Sequence, residues 1–189
     1  MFNVLFAAGL IAAVAASDQL TAGALPKTIL VAAATANTGG NLVKQLSLEG
    51  KVDIKAAVRS KDDARATELA GLPRVTVVVL DFDDVATVAA ALAGVDRAFL
   101  VSAPFDNLQF ERETDFLDLA GKAGIPTVRV GTYTGLYGAG TKTSYGRAHH
   151  GIEAYADING IPTVTLRPVN LLRRTVRYST RLPPFYLFC

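Results

Sequence analysis

The sequence has a single cysteine, Cys189, and it is the last residue. No disulfide can form within the chain, and no cysteine-based zinc site can be built. Basic and acidic side chains number 19 and 17, for a net charge of +2, and no dense basic block precedes the C-terminus. Nucleic acid is therefore not an expected partner. No charged side chain falls in the opening run MFNVLFAAGLIAAVAA, and no Lys or Arg comes before Lys27. That run is shorter than the roughly 20 apolar residues of a spanning helix, so a membrane segment is not expected. Ala13 and Ala15 ahead of Ser17 and Asp18 resemble a secretory cleavage site, without the basic region that normally opens a signal. Residues 1–24 read either as a signal-like segment or as a non-native start. Internal repeats and low-complexity linkers are also missing.

What remains is one globular domain over residues 25–170. The chain is 189 residues long, 50% hydrophobic and 19% charged, within the range of a single packed core. From Thr28 onward, short apolar runs alternate with segments of helical period, the pattern of a parallel sheet covered on both faces. The runs predict strands at Thr28 to Ala33, Asp53 to Val58, Val75 to Leu80, Arg97 to Ser102, Thr127 to Val130 and Thr163 to Leu166. Helices are expected near Gly40 to Glu49, Asp62 to Leu69, Val85 to Leu92, Phe110 to Lys122 and Ser144 to Asn159. Gly50, Gly71, Gly94, Gly124 and Gly160 each follow a predicted helix, where a left-handed residue stops it. Right-handed crossovers then give an α/β doubly wound parallel sheet of order 3-2-1-4-5-6, with its ligand crevice at the C-terminal ends of strands one and four.

Candidate binding residues are sought at that crevice. The first turn, between a strand and a helix, carries Ala33, Ala36 and Gly39 where three glycines are usual in a phosphate-binding turn. An alanine at 33 is a small offence if its φ is negative, whereas the Ala36 methyl stands where a phosphate approaches. Thr35, Asn37 and Thr38 supply polar groups, the last two as helix caps or donors. Arg59 closes the second strand in KAAVRS, where an acid suits ribose hydroxyls and an arginine suits a 2′-phosphate. It is either that ligand or a solvated loop residue. Asp81 either holds backbone N–H groups near an adenine or caps the next helix. Ser102, in FLVSAP, is either a ribose or nicotinamide neighbour or simply a strand end.

Together these stretches resemble the NmrA-like family of atypical short-chain dehydrogenases. Its opening T-G-A-T-G-x-x-G is matched by AAATANTG at Ala32 to Gly39, with Ala33 and Ala36 on two family glycines. AVRSKDDA, LDFDDVATVAAALAGVDRAFLVSAP and GIPTVTLRP resemble its second, third to fourth, and sixth strands. The resemblance implies a Rossmann-like domain binding NAD(P)(H), which in some members reduces a substrate and in others only senses the cofactor. With Arg59, NADP(H) is expected over NAD(H), and a cytoplasmic location follows unless residues 1–16 direct secretion. A small-molecule substrate is implied, with a protein partner as the alternative.

The Tyr-x-x-x-Lys pair of ordinary short-chain dehydrogenases is absent. Tyr133 and Tyr137 are followed four residues on by Tyr137 and Thr141, and Tyr145 by His149. His149 and Glu153, four apart, share a helix face, and a glutamate there orients an imidazole and raises its pKa. Some quinone-reductase-like members resemble this arrangement. His149 is then a proton donor to a carbonyl or quinone oxygen, with Glu153 its partner and Tyr133 beside them, or else His149 and Glu153 are two exposed helix residues. After TLRPVNLL the resemblance fades into an arginine-rich tail, 171–189, and family members continue further, which implies a C-terminally truncated chain. The readings are an NADPH-dependent oxidoreductase, a non-catalytic cofactor-binding module, or a fragment that binds no cofactor.

Overall fold

The computed structural model describes residues 26–103, 107–132, 140 and 142–168. The strands are β1 (Thr28–Val31), β2 (Asp53–Val58), β3 (Val75–Val79), β4 (Arg97–Leu100), β5 (Thr127–Val130) and β6 (Thr163–Leu166). They form one parallel sheet in the order β3-β2-β1-β4-β5-β6, the order expected. The helices between them are α1 (Asn37–Glu49), α2 (Ala64–Ala70), α3 (Val85–Leu92), α4 (Gln109–Lys122) and α5 (Ser144–Ile158). In register, Val31 of β1 faces Ala56 on β2 and Phe99 on β4. Residues 1–24, Pro104, Tyr133, Tyr137 and the tail 171–189 lie outside the described residues.

Alternation along β1 divides the core in two. Ile29 and Val31 point to a cluster with Leu42, Val43 and Leu46 of α1 and Leu69 of α2. Leu30 and Ala32 point to the opposite cluster, with Val88 of α3, Phe116 and Leu117 of α4, and Ile152 of α5. Each fully buried Leu, Ile or Phe contributes about 1.5–3 kcal/mol by leaving water. Burial on both faces is why the strands read as near-continuous apolar runs. β3 and β6, at the sheet edges, are only half buried.

The main departures from the expected boundaries lie at the first turn and after α2. β1 ends at Val31 and α1 begins at Asn37, three residues before the expected Gly40. Gly50, Gly94, Gly124 and Gly160 take the left-handed conformation that stops a helix. Gly71 does not: its φ is −78°, and the left-handed residue is Arg74 at φ 61°. Arg74 is fixed there by its Nε donating to the Val52 carbonyl at 3.0 Å and its guanidinium pairing with Asp53 at 3.0 Å. Among the described residues no helix is long and apolar enough to cross a membrane.

Candidate functional site

Strands β1 and β4 lead their chains in opposite directions across the sheet, so a crevice opens at their C-terminal ends. The turn on its β1 side is strained at Ala33, with φ 47°, and not at Ala36, with φ −83° and ψ 164°. The Ala36 backbone is relaxed, and it is Ala33 that departs from expectation, since its φ is positive where a negative value would have made an alanine there a small offence. The reason is tertiary. Ala34 N–H donates to the Ala57 carbonyl at 2.9 Å and Ala36 N–H to the Ala33 carbonyl at 2.9 Å, which forces the chain to reverse directly after β1. The left-handed conformation costs an L-residue roughly 1–2 kcal/mol.

Gly39 is the glycine this geometry requires. A Cβ there would lie 2.5 Å from the Ala33 carbonyl oxygen and 2.8 Å from that of Ala32, so only glycine lets α1 pack onto the strand end. The N-cap of α1 is Ala36, which has no side-chain acceptor. Asn37 and Thr38 therefore sit inside the first turn and do not cap it, contrary to expectation. The first-turn N–H groups of an α-helix have no partner within the helix, and together with its dipole they make an anion site. The Ala36 side chain supplies no oxygen to compete for them.

On the β2 side, Arg59 is exposed and makes no hydrogen bond or ion pair with the described residues. Arg65, which the sequence reading passed over, donates from Nη1 to the Thr35 carbonyl at 2.8 Å. A cleft of about 120 Å³, lined by Thr35, Asn37, Lys44 and Arg65 among others, separates the turn from α2. Asp81, half-buried after β3, accepts the Asp83 N–H at 3.1 Å. It shapes the loop, while Asp84 caps α3 by accepting from Ala86 N–H at 3.0 Å. Asp83 is paired twice with Arg112 of α4, at 2.7 and 2.6 Å, and this cation holds its carboxyl below the usual range.

On the β4 side the crevice is backed by a buried polar cluster. Ser102 Oγ donates to Glu113 Oε1 at 2.6 Å and is contacted by Gln109 at 3.2 Å, so its proton points back into the protein. Glu113 also receives Arg129 of β5, at 3.0 Å from Nε and 2.9 Å from Nη2. Arg129 is fully buried and its Nη2 meets His149 Nδ1 at 2.7 Å. A guanidinium only donates, so Nδ1 is the acceptor and the ring proton sits on Nε2; the Gln109 amide nitrogen 3.3 Å from Nε2 is itself a donor, to Glu113 and Ser102, and so packs against the ring without a hydrogen bond. Tyr145, hydrogen-bonded to Thr132, packs edge-on against the imidazole with ring centroids 4.5 Å apart.

Two expectations about α5 are corrected by this cluster. His149 is 2% exposed, so it is not one of two solvated helix residues. Its pKa is not raised but lowered to about 4, by burial first and then by the Arg129 charge, against the weaker pull of Glu113 and Glu153. Glu153 does share the α5 face, but it turns to Arg167 after β6 and to Arg129 Nη1 at 3.6 Å. Arg129, Glu113 and Gln109 were missed. The only trace in the sequence is a charged residue inside the apolar run TVRV of β5, fully buried along its length.

By sheet order, Thr35 to Gly39 follow β1 and Ser102 follows the adjacent β4, with Arg59 and Asp81 after the ends of β2 and β3. Tyr133 lies outside the described residues. A family model described as NAD(P)H-binding matches residues 33–178. No curated protein matches the chain. Among solved structures, NmrA, a negative transcriptional regulator in complex with NADP, superposes with a TM-score of 0.63 at 23% identity, covering 74% of this chain and 44% of that one. The triphenylmethane reductase of Citrobacter sp., complexed with NADP(H), gives a TM-score of 0.60 at 26% identity, with 74% and 48% covered. An NADPH-dependent quinone oxidoreductase from Escherichia coli gives 0.60 at 24% identity, with 74% and 47% covered. The chain spans less than half the length of these three.

Proposed function

The chain belongs to the NAD(P)H-binding family, matched over residues 33–178, and from that premise we propose that it binds NADPH in the β1/β4 crevice and serves an oxidoreductase acting on small carbonyl or quinone compounds. The observation that carries this reading is the uncapped N-terminus of α1, held against β1 by Gly39. Those first-turn N–H groups suit a pyrophosphate. Arg59, exposed and without a partner among the described residues, suits the 2′-phosphate, and Asp81 the adenosine end. Ser102, whose proton is given to Glu113 and which accepts from Gln109, offers its remaining lone pair to a ribose hydroxyl or an amide of the cofactor. Bound NADPH supplies a hydride. The triphenylmethane reductase, solved with NADP(H), supports the choice of cofactor. A nicotinamide-using domain fits the cytoplasm.

A non-catalytic cofactor-binding module is the second reading. The burial and neutrality of His149 favour it, because the imidazole expected to donate a proton to substrate is enclosed between Arg129 and Gln109. In the oxidoreductase reading His149 and Glu153 position the β5 and β6 ends, and substrate protonation belongs to another group. Tyr133 is the candidate for it.

Titration of the protein with NADPH and NADH, followed by cofactor fluorescence, tests the binding. NADPH is expected to bind at least about tenfold more tightly, and Arg59→Ala to remove that preference, since a phosphate–guanidinium contact is a charge-assisted pair. NADPH oxidation with a panel of quinones and aldehydes then separates the two readings. Turnover supports the enzyme, and tight binding without turnover supports the module.

A further inference from the structure

We propose that Arg65 is a positioning residue that sets the shape of the phosphate turn, and so governs the affinity for both nicotinamide dinucleotides without contacting the 2′-phosphate. The inference rests on the reading of the α1 N-terminus as the pyrophosphate site.

The turn holds a non-glycine residue, Ala33, in the left-handed region at φ 47°. Such a conformation persists only where surrounding contacts over-determine it. Two of them come from the adjoining backbone: Ala34 N–H to the Ala57 carbonyl at 2.9 Å, and Ala36 N–H to the Ala33 carbonyl at 2.9 Å. Between these lies the Thr35 carbonyl, which precedes the first hydrogen bond of α1, from Gly40 N–H to the Ala36 carbonyl at 2.8 Å. Its partner comes from another element: Arg65 Nη1, at 2.8 Å.

Arg65 is itself fixed at two points. Its backbone N–H donates to Asp63 Oδ1 at 2.8 Å, the N-cap bond of α2, and its Nη2 lies 3.4 Å from Asp63 Oδ2. Asp63, Arg65 and Thr35 therefore form a strut from the start of α2 to the turn. A second contact between the two helices runs from Lys44 on α1 to Glu68 on α2 at 2.7 Å. The consequence is directional. With its carbonyl turned to Arg65, the 35–36 peptide presents its oxygen to α2 and not to the crevice, where a pyrophosphate would meet the negative end of that dipole.

Arg59 is the contrasting case. It is unpartnered among the described residues, at the end of β2, and free to close on a phosphate, whereas Arg65 is already committed. The two arginines divide the work: Arg59 discriminates between cofactors, and Arg65 supports whichever one binds.

The test combines affinity with amide hydrogen exchange. Arg65→Met, which keeps the stem and removes the donor, is expected to weaken NADPH and NADH by the same factor, about tenfold. In the unliganded protein it is expected to speed exchange at Ala34 and Ala36. Arg65→Lys, retaining a cation and a donor, is expected to recover part of both effects. Loss confined to NADPH would overturn the inference and make Arg65 a 2′-phosphate ligand. Unchanged exchange at Ala34 and Ala36 would overturn it independently of any ligand. A wild-type protein that binds neither dinucleotide refutes the cofactor reading instead, a result the exchange measurement keeps distinct.

Discussion

Arg129 Nη2 lies 2.7 Å from His149 Nδ1, which pins the imidazole against a permanent cation and leaves it nowhere to accept a second proton on that side. A residue that spacing alone marks as a proton donor is thereby held as a neutral ring. Gln109 and Glu113 on α4, Glu153 on its own helix and the Tyr145 ring also face it.

That relationship makes folding stability depend on acid. The His149 pKa is lowered from 6.5 to about 4 in the folded protein. Between these values the unfolded chain binds the proton and the folded one does not, so stability falls as the pH drops from 6.5 toward 4. The total loss is up to about 3 kcal/mol, at 1.36 kcal/mol per pH unit. Above pH 7 this group contributes no slope. Urea midpoints measured from pH 7.5 to 4.5 are expected to fall in the wild type and to fall less in His149→Gln, which isolates His149 from the carboxylates. Equal slopes in the two proteins would refute the assignment.

The buried pair of Arg129 and Glu113 is expected to behave asymmetrically. Their side chains are 0% and 1% exposed, so Arg129→Met strands a carboxylate in the core and costs about 3–5 kcal/mol. Glu113→Gln added to it removes the stranded charge, and the double variant is expected to be more stable than Arg129→Met alone. Chemical denaturation of the wild type, both single variants and the double variant checks the order. An additive double variant would mean that the charges do not interact.

The fold was legible because it depends on patterns that repeat. Runs such as TILV and RAFL are buried from both sides, and four of the five helix-ending glycines take the left-handed conformation the sequence predicts. The candidate site was legible only in part. The crevice, Gly39 and Arg59 follow from the position of the strand ends. Which alanine carries the strain does not, because Ala57 on β2 and the approach of α1 decide it. The His149 environment was hidden for a similar reason. Its spacing to Glu153 describes one helix, while its neighbours Arg129 and Gln109 stand 20 and 40 residues away in sequence. Arg65 reaches Thr35 across 30 residues, and no local motif marks that contact.

Two substitutions at the turn are expected to move stability in opposite directions. Ala33→Gly relieves the left-handed strain at φ 47° and pays back part of it in unfolded-state entropy. A net gain of about 0.5–1 kcal/mol is expected. Gly39→Ala places a methyl 2.5 Å from the Ala33 carbonyl oxygen, an approach that forces α1 off the strand end. It is expected to cost about 2 kcal/mol or more. Thermal melts of both proteins test the pair, and a stable Gly39→Ala protein would show that the helix can shift without loss.

The capping position sets stability against binding. Ala36 is the N-cap of α1 and leaves the first-turn N–H groups without a side-chain acceptor. Ala36→Asp supplies one: the carboxylate accepts from those amides and interacts favourably with the helix dipole, for a gain of about 1 kcal/mol. The same oxygen occupies the groups proposed for the pyrophosphate and adds a like charge beside it. The variant is therefore expected to melt at a higher temperature than the wild type and to bind NADPH at least about tenfold more weakly, a loss of roughly 1.4 kcal/mol. Ala36→Gly separates the steric part. Since Ala36 already has φ −83°, glycine brings no relief of backbone strain, and any tightening of NADPH measures the obstruction by the methyl. Ala36→Asp binding as tightly as the wild type would place the pyrophosphate away from α1, because an anion cannot share amides that a neighbouring carboxylate has taken.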